Sequence, residues 1–127
     1  MKQFVEIFKA LSDATRVRIL YLLIVSKESI CVCEIVDCLE EPQYNVSRHL
    51  KLLKNTRLVD ENRKGRWKYY CLTKKRDLFI TRLFQAISSI PEKALLKDYE
   101  KLKKRLNMRK NGECILGIQN PHLLSRR

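Results

Sequence analysis

The chain is poor in the residues that break or disorder backbone, with only 3 Gly and 3 Pro among 127 residues. That excludes collagen-like and Pro/Gly-rich disordered classes. No apolar run approaches the roughly 20 residues that span a bilayer. Glu6, Lys9 and Asp13 interrupt any apolar stretch a secretory leader would need. Also missing are paired carboxylates, a nucleophile beside a base, and a Gly-rich phosphate loop, so no enzyme is expected. Acidic side chains are in short supply, 14 against 27 Lys and Arg, leaving a formal charge of +13. Such a charge on so small a body calls for a polyanionic partner. The 45% of apolar residues suffices for one core. The expectation is therefore a soluble, cytoplasmic protein with no membrane partner. Its five cysteines are an odd number. In a reducing compartment they read as free thiols, metal ligands or redox sensors rather than a disulfide framework.

The charge is concentrated. Residues 43–76 hold eleven basic and two acidic side chains, and residues 97–127 hold nine and three. Residues 1–42, with five and seven, are slightly acidic. A solubilising surface would mix the signs, so the central block reads as a binding face. The basic helix around Lys101, Lys103, Lys104 and Arg105 can equally be an exposed helix side.

Apolar periodicity lays out the elements. Phe4, Phe8 and Leu11 predict a helix over 2–11. Ser12 or Asp13 can cap a second helix, with Val17, Leu20, Leu23 and Ile24 on one stripe and an end near Ser26. Ser29–Cys33 is either extended or the start of a third helix, whose face carries Ile35, Cys38 and Leu39. Pro42 breaks that helix and opens a fourth through Val46, Leu50 and Leu53. Leu58–Arg63 reads as a strand, Lys64–Gly65 as a turn, and Trp67–Leu72 as the returning strand of a β-hairpin. Helix resumes from Leu78 to about Ser89. A charged helix follows over Glu92–Met108, with Leu95, Leu96, Tyr99, Leu102 and Leu106, and Asn111–Gly112 ends it. The fold class expected is mainly α with a small β-hairpin, a winged helix-turn-helix. Residues 1–108 form the DNA-binding and dimerisation domain, and 109–127 a tail carrying Cys114.

The fourth helix is furnished for a major groove. Gln43 and Asn45 suit adenine, Arg48 suits guanine and Ser47 adapts to base or phosphate. Tyr44 and His49 lie among them, and Lys51 and Lys54 suit phosphates. On the hairpin, Arg63, Lys64, Arg66 and Lys68 ring Gly65, placed for a neighbouring phosphate or minor groove. The expected partner is double-stranded operator DNA. A second constellation is Cys31–Val32–Cys33. Side chains two apart share a direction on extended backbone but not on a helix. Two thiolates there can share one ion only if the chain is extended or the helix start unwinds. Thiolates are soft ligands for As(III), Sb(III), Cd(II), Pb(II), Zn(II) or Cu(I).

Four stretches together, ALSDATRVRIL (Ala10–Leu20), CVCEIVDCL (Cys31–Leu39), VSRHLKLLK (Val46–Lys54) and GRWKYYCL (Gly65–Leu72), resemble the ArsR/SmtB family of winged-helix repressors. The resemblance spans roughly residues 3–106. It implies a homodimer, paired through its first and last helices, that leaves a palindromic operator when an effector binds. DNA binding itself then requires no cofactor. Members usually carry a small residue and Gly after the recognition helix, where this chain has Asn55–Thr56–Arg57–Leu58, so Asn55 is the candidate for a left-handed cap.

CVC at this position resembles the thiolate-sensing members and implies As(III) or Sb(III) as inducer, with Cys31 and Cys33 as ligands. Those members often add a third Cys where this chain has Val36, which leaves Cys38 and Cys114 as candidates for the third thiolate. Residues 77–108 contain no His, which removes the Asp/His site that zinc- and nickel-type members carry on the last helix. Cadmium and lead members usually add cysteines near the N-terminus, and none precedes Cys31. The alternatives are a Cd-, Pb- or Zn-responsive repressor, or a thiol-redox switch, of the same fold.

Overall fold

The computed structural model describes residues 1–124; the last three residues of the expected tail lie outside it. Six helices, α1 (Lys2–Ala10), α2 (Ala14–Ser26), α3 (Val32–Leu39), α4 (Gln43–Asn55), α5 (Leu78–Ser88) and α6 (Lys93–Leu106), surround a small sheet of β1 (Ile30–Cys31), β2 (Val59–Lys64) and β3 (Trp67–Leu72). The sheet is antiparallel in the order β1-β3-β2. The predicted hairpin is thus one strand short. Ile30 and Cys31 pair with Tyr70 and Tyr69, which ties the wing to the entry of α3.

Helix α2 is the centre of the fold. The Asp13 side chain caps it by accepting the Arg16 N–H at 3.1 Å. Ile19, Leu20, Leu22 and Leu23 are buried on several sides of it, against α4, α5 and α6. A helix apolar all round belongs in the interior. Val46, Leu50 and Leu53 bury the inner face of α4, so its polar side is turned outward. Helices α3 and α4, joined by the break at Pro42, make the helix-turn-helix.

The exit from α4 differs from expectation. Thr56 is right-handed, and the left-handed residue is Arg57, at φ +65°, rather than Asn55. For a residue bearing a Cβ this conformation costs roughly 1 kcal/mol. It delivers Leu58 and Val59 into the core, where both are buried. At the wing tip Lys64 and Trp67 are paired, so the turn is Gly65–Arg66, with Gly65 at φ +60°.

Helix α6 lies within the body of the chain. Leu95, Asp98, Leu102 and Arg105 bury one face against α2 and α3, while Leu96 is exposed. Arg18 forks onto Asp98 at 2.8 and 3.0 Å. The exposed apolar side chains of α1 and α5 include Val5, Phe8 and Leu78, beside edge-on contacts of Phe79 with Phe4 and Phe8. No helix is long and apolar enough to cross a membrane among the described residues.

The segment after α6 folds back on the domain. Asn111 and Gly112 both take positive φ, and Lys110 and Glu113 exchange backbone hydrogen bonds across them at 3.0 and 3.1 Å. This is the two-residue reversal that Asn-Gly favours. It aims Cys114 at the start of α3. A short 3-10 turn, Pro121–Leu123, then buries Leu123 in the main core.

Candidate metal centre and nucleic-acid interface

Three of the four cysteines expected at the site come together. The Sγ atoms of Cys31, Cys33 and Cys114 all lie within 4.8 Å of one another, and all three residues are buried. Cys33 is central, 3.1 Å from Cys31 and 3.3 Å from Cys114. The open question about residues 29–33 resolves as a junction. Cys31 is extended (φ −74°, ψ 148°) and caps α3, whose first turn contains Cys33. The extended residue turns both thiols the same way, so the helix need not unwind. A ligating sulfur sits about 2.3 Å from its ion, so sulfurs sharing one ion lie roughly 3.5–4 Å apart. The trio is close to that spacing before any ion arrives, and its donor set is soft.

Cys38 is elsewhere. It shares the main apolar core with Ile35 and Leu39, and burial pushes its thiol up to about 12. The site candidate on the helical face of α3 is therefore a core residue, because one helical turn of α3 carries it away from Cys33. Cys71 is half-buried on β3, outside the cluster.

The surroundings hold residues that the sequence reading passed over. Glu34 is fully buried, and its carboxylate accepts the Cys31 N–H at 2.9 Å. Arg109 grips the same carboxylate with Nε at 2.8 Å and a second nitrogen at 2.7 Å. Arg105, one of the basic residues that could equally have formed an exposed helix side, is only 4% exposed. It donates to Asp37 at 2.8 Å and to the carbonyls of Leu116 and Gly117, and approaches the Cys33 sulfur at 3.7 Å. Tyr69, opposite Cys31 in the sheet, accepts the Cys114 N–H at 2.9 Å. A signal for the arginines was present. Asp98, Leu102 and Arg105 recur at helical spacing in register with Leu95, so charged residues occupied the buried stripe of α6, and Arg109, beyond the helix end, continues the same spacing in the sequence.

The protons are unevenly held. The Cys33 S–H donates to Cys31, which holds the Cys31 thiol down at about 6. Cys33 is pushed up by giving that bond and by burial, and Cys114 is raised by burial. Of the three, Cys31 is the one held toward the thiolate, and Cys33 and Cys114 are held toward the thiol.

On α4, Tyr44, Ser47, Arg48 and Lys51 form one exposed stripe at helical spacing, with Gln43 at its start and Lys54 at its end. Asn45 is half-buried at its edge. His49 faces inward, its Nδ1 3.1 Å from an Arg16 guanidinium nitrogen, and burial lowers its pKa. The structure thus sets His49 against α2 instead of on the exposed stripe, because residue 49 follows Val46 toward the packed side of α4. At the wing tip Arg63, Lys64 and Arg66 are exposed. Arg66 lies over the Trp67 ring at 4.7 Å. Carboxylates temper three of these cations: Glu61 pairs with Lys54 at 3.3 Å and Lys68 at 3.7 Å, and Glu113 with Lys64 at 3.8 Å.

An outward recognition helix, a basic wing and a two-helix turn define a winged helix-turn-helix transcriptional regulator. Comparison with known proteins agrees and narrows the class. Residues 13–61, from the cap of α2 into β2, match the sequence family described as "Bacterial regulatory protein, arsR family". An uncharacterised HTH-type transcriptional regulator of Methanocaldococcus jannaschii is 42% identical over 78 residues, 61% of this chain and 86% of that protein. The arsenic resistance transcriptional regulator ArsR2 of Pseudomonas putida is 38% identical over 63% of this chain and 69% of its own. A cadmium resistance regulator, a CadC homologue of Staphylococcus aureus, is 42% identical over 53% of this chain and 54% of its own. Reduced HlyU from Vibrio cholerae superposes with a TM-score of 0.61 over 71% of this chain and 90% of that one, at 22% identity, which speaks to the fold alone. The chain belongs to the ArsR family of DNA-binding transcriptional regulators.

Proposed function

We propose that this regulator is a homodimeric repressor that holds operator DNA when effector-free and releases it when As(III) or Sb(III) is bound by Cys31, Cys33 and Cys114. The observation that carries this reading is the gathering of three buried thiols at one point from three separate elements. Cys31 belongs to the strand paired with the wing, Cys33 to the helix packed on α4, and Cys114 to the folded-back segment. A shared ion fixes these parts relative to one another. The recognition helix and the wing grip the duplex separately, so fixing their spacing changes the grip. Moving the population from 1:99 to 99:1 takes about 5.5 kcal/mol of differential affinity. Sulfur–metalloid bonds supply that scale, whereas an exposed ion pair does not. The apolar side chains exposed on α1 and α5 support pairing of two copies there.

The DNA face has its own expectation. Replacing Arg48 with Ala weakens binding to the operator by about 1–3 kcal/mol, and weakens random duplex less, if the guanidinium reads a base. Equal losses on both, in parallel anisotropy titrations, reduce Arg48 to a phosphate contact.

The function is tested by fluorescence anisotropy of a labelled palindromic operator fragment with reduced protein, titrated with arsenite, cadmium and zinc in turn. Release by arsenite at about one equivalent per subunit is expected. Indifference to arsenite with release by cadmium transfers the reading to a divalent-metal sensor, and release by oxidants alone to a redox switch. Proton balance gives an independent answer. At pH 7.5, above the Cys31 value of about 6, neutral As(OH)₃ meets one thiolate and two thiols. Three As–S bonds and three waters form, and about one proton is taken up. A divalent cation displaces about two protons from the same site. Calorimetry in buffers of different ionisation enthalpy reads the sign, and proton release on arsenite binding contradicts the assigned protonation.

A further inference from the structure

Cys114 reaches the site from a segment that has no sheet or long helix to hold it, yet its thiol is buried 3.3 Å from Cys33. Arg105 and the Tyr69 hydroxyl hold it from one side, and Arg109 holds the turn before it. The Arg109 guanidinium lies in the interior, forked onto Glu34 at 2.7 and 2.8 Å. The same group donates to the Ser29 carbonyl at 2.7 Å and to the Gly112 carbonyl at 3.3 Å. It also stands 5.7 Å from the centre of the Tyr69 ring, the residue whose hydroxyl accepts the Cys114 N–H. Glu34 in turn accepts the Cys31 N–H. One buried ion pair therefore spans from the backbone of the first thiol to the Asn111–Gly112 turn that presents the third.

We infer that Arg109 and Glu34 are positioning residues that determine ligand class. They supply Cys114 to Cys31 and Cys33, and so set the preference of the site for a ligand that takes three thiols over one that takes two. The inference rests on the metalloid reading of the same site. Cys31 and Cys33 need no help from the tail, since the extended cap and the first turn of α3 bring them together. Cys114 is 81 residues away in sequence from Cys33. Without the clamp the Asn111–Gly112 turn loses its tie to the start of α3, and Cys114 is held only from its far side by Arg105 and by the Tyr69 hydroxyl, so its thiol is ordered at a larger entropic cost on each binding event. A planar fork on a carboxylate fixes both direction and distance, which a single ammonium does not.

Two arsenicals separate the two functions of the site. Arsenite, As(OH)₃, condenses with three thiols and releases three waters. Phenylarsine oxide keeps its carbon–arsenic bond and condenses with two thiols, releasing one water. The full-length reduced protein is titrated with each, following sulfur–arsenic absorption in the near ultraviolet. The variants are R109K and E34Q, with the double variant E34Q/R109Q added because it leaves no lone buried charge. In the wild type, arsenite binding consumes three thiols per subunit by a thiol-reagent count. In the variants arsenite affinity falls about tenfold or more and one thiol stays reactive, whereas phenylarsine oxide affinity stays within about threefold. R109K retains more than the double variant if charge alone gives part of the clamp. An equal loss for both arsenicals makes the pair a general structural support and overturns the inference, as does an unchanged arsenite affinity. Failure of the wild type to bind arsenite at all, while binding phenylarsine oxide, overturns the three-thiol reading itself and is visible before any variant is made.

Discussion

Cys33→Ser is expected to abolish arsenite-driven release of operator DNA while leaving DNA affinity within about threefold of the wild type. Cys33 is the thiol in contact with both others, 3.1 Å from one and 3.3 Å from the other. Its removal leaves only Cys31 and Cys114, two of the three sulfurs gathered within 4.8 Å, and takes away the one in contact with both. Serine keeps the helical backbone and is compatible with a position near the start of α3. The side chains proposed for DNA contact on α4 and the wing are other residues, so the affinity for DNA has no reason to move. Cys38→Ser is the contrasting variant. It places a hydroxyl in the apolar core among Ile35 and Leu39 and costs stability, on the order of 1–3 kcal/mol. The release by arsenite is kept. Release persisting in Cys33→Ser overturns the three-thiol site, and release vanishing in a folded Cys38→Ser reverses the assignment of the third thiol.

Arg105→Leu is expected to lower stability by about 3–5 kcal/mol, because it removes the buried cation that faces the Asp37 carboxylate and the shared charged donor of two carbonyls. Asp37 loses the 2.8 Å bond, and Leu116 and Gly117 lose their tie to α6. Asp37 still accepts the Gln119 N–H at 3.0 and 3.1 Å, which retains part of the segment. For a chain of this size the loss corresponds to a melting temperature lowered by on the order of 10 °C or more. Lys101→Ala is the control. Lys101 also pairs with a carboxylate, that of Glu40, but both side chains are largely open to solvent. An exposed pair contributes about 0–1 kcal/mol. Thermal melts of the two variants side by side decide the matter. Similar small shifts in both show that Arg105 does not carry the tail.

Much of this was legible in the chain. Asp13 before an apolar run announced the cap of α2, and the polar stripe Tyr44–Ser47–Arg48–Lys51 announced an outward helix. Alternation around Trp67–Leu72 announced the wing, and Cys-Val-Cys a soft site. These are local signals: capping, periodicity of 3.6 or 2, and ligand softness act within a few residues. The direction of His49 was not legible, for an equally local reason. It stands among groove-furnishing residues, but its position on the helix turns it toward Arg16, and direction on a helix depends on which face is packed.

Long-range pairing was outside that reach. That Arg105 and Arg109 are interior cations follows from partners 68 and 75 residues away, Asp37 and Glu34. A basic helix near a C-terminus has the same composition whether its arginines meet water or a buried carboxylate. The choice of third thiol had the same character. Cys38, five residues from Cys33, and Cys114, 81 residues away, were both open. Helical rotation removes the near one, while a two-residue turn and an ion pair deliver the far one. By itself the sequence determined the family of fold, the polar outward helix and the softness of the Cys-Val-Cys donors, because those depend on residue type and local spacing. Which thiols meet, and which charges stand behind them, only the tertiary structure decided, because closing loops of that length is a property of the whole packed chain.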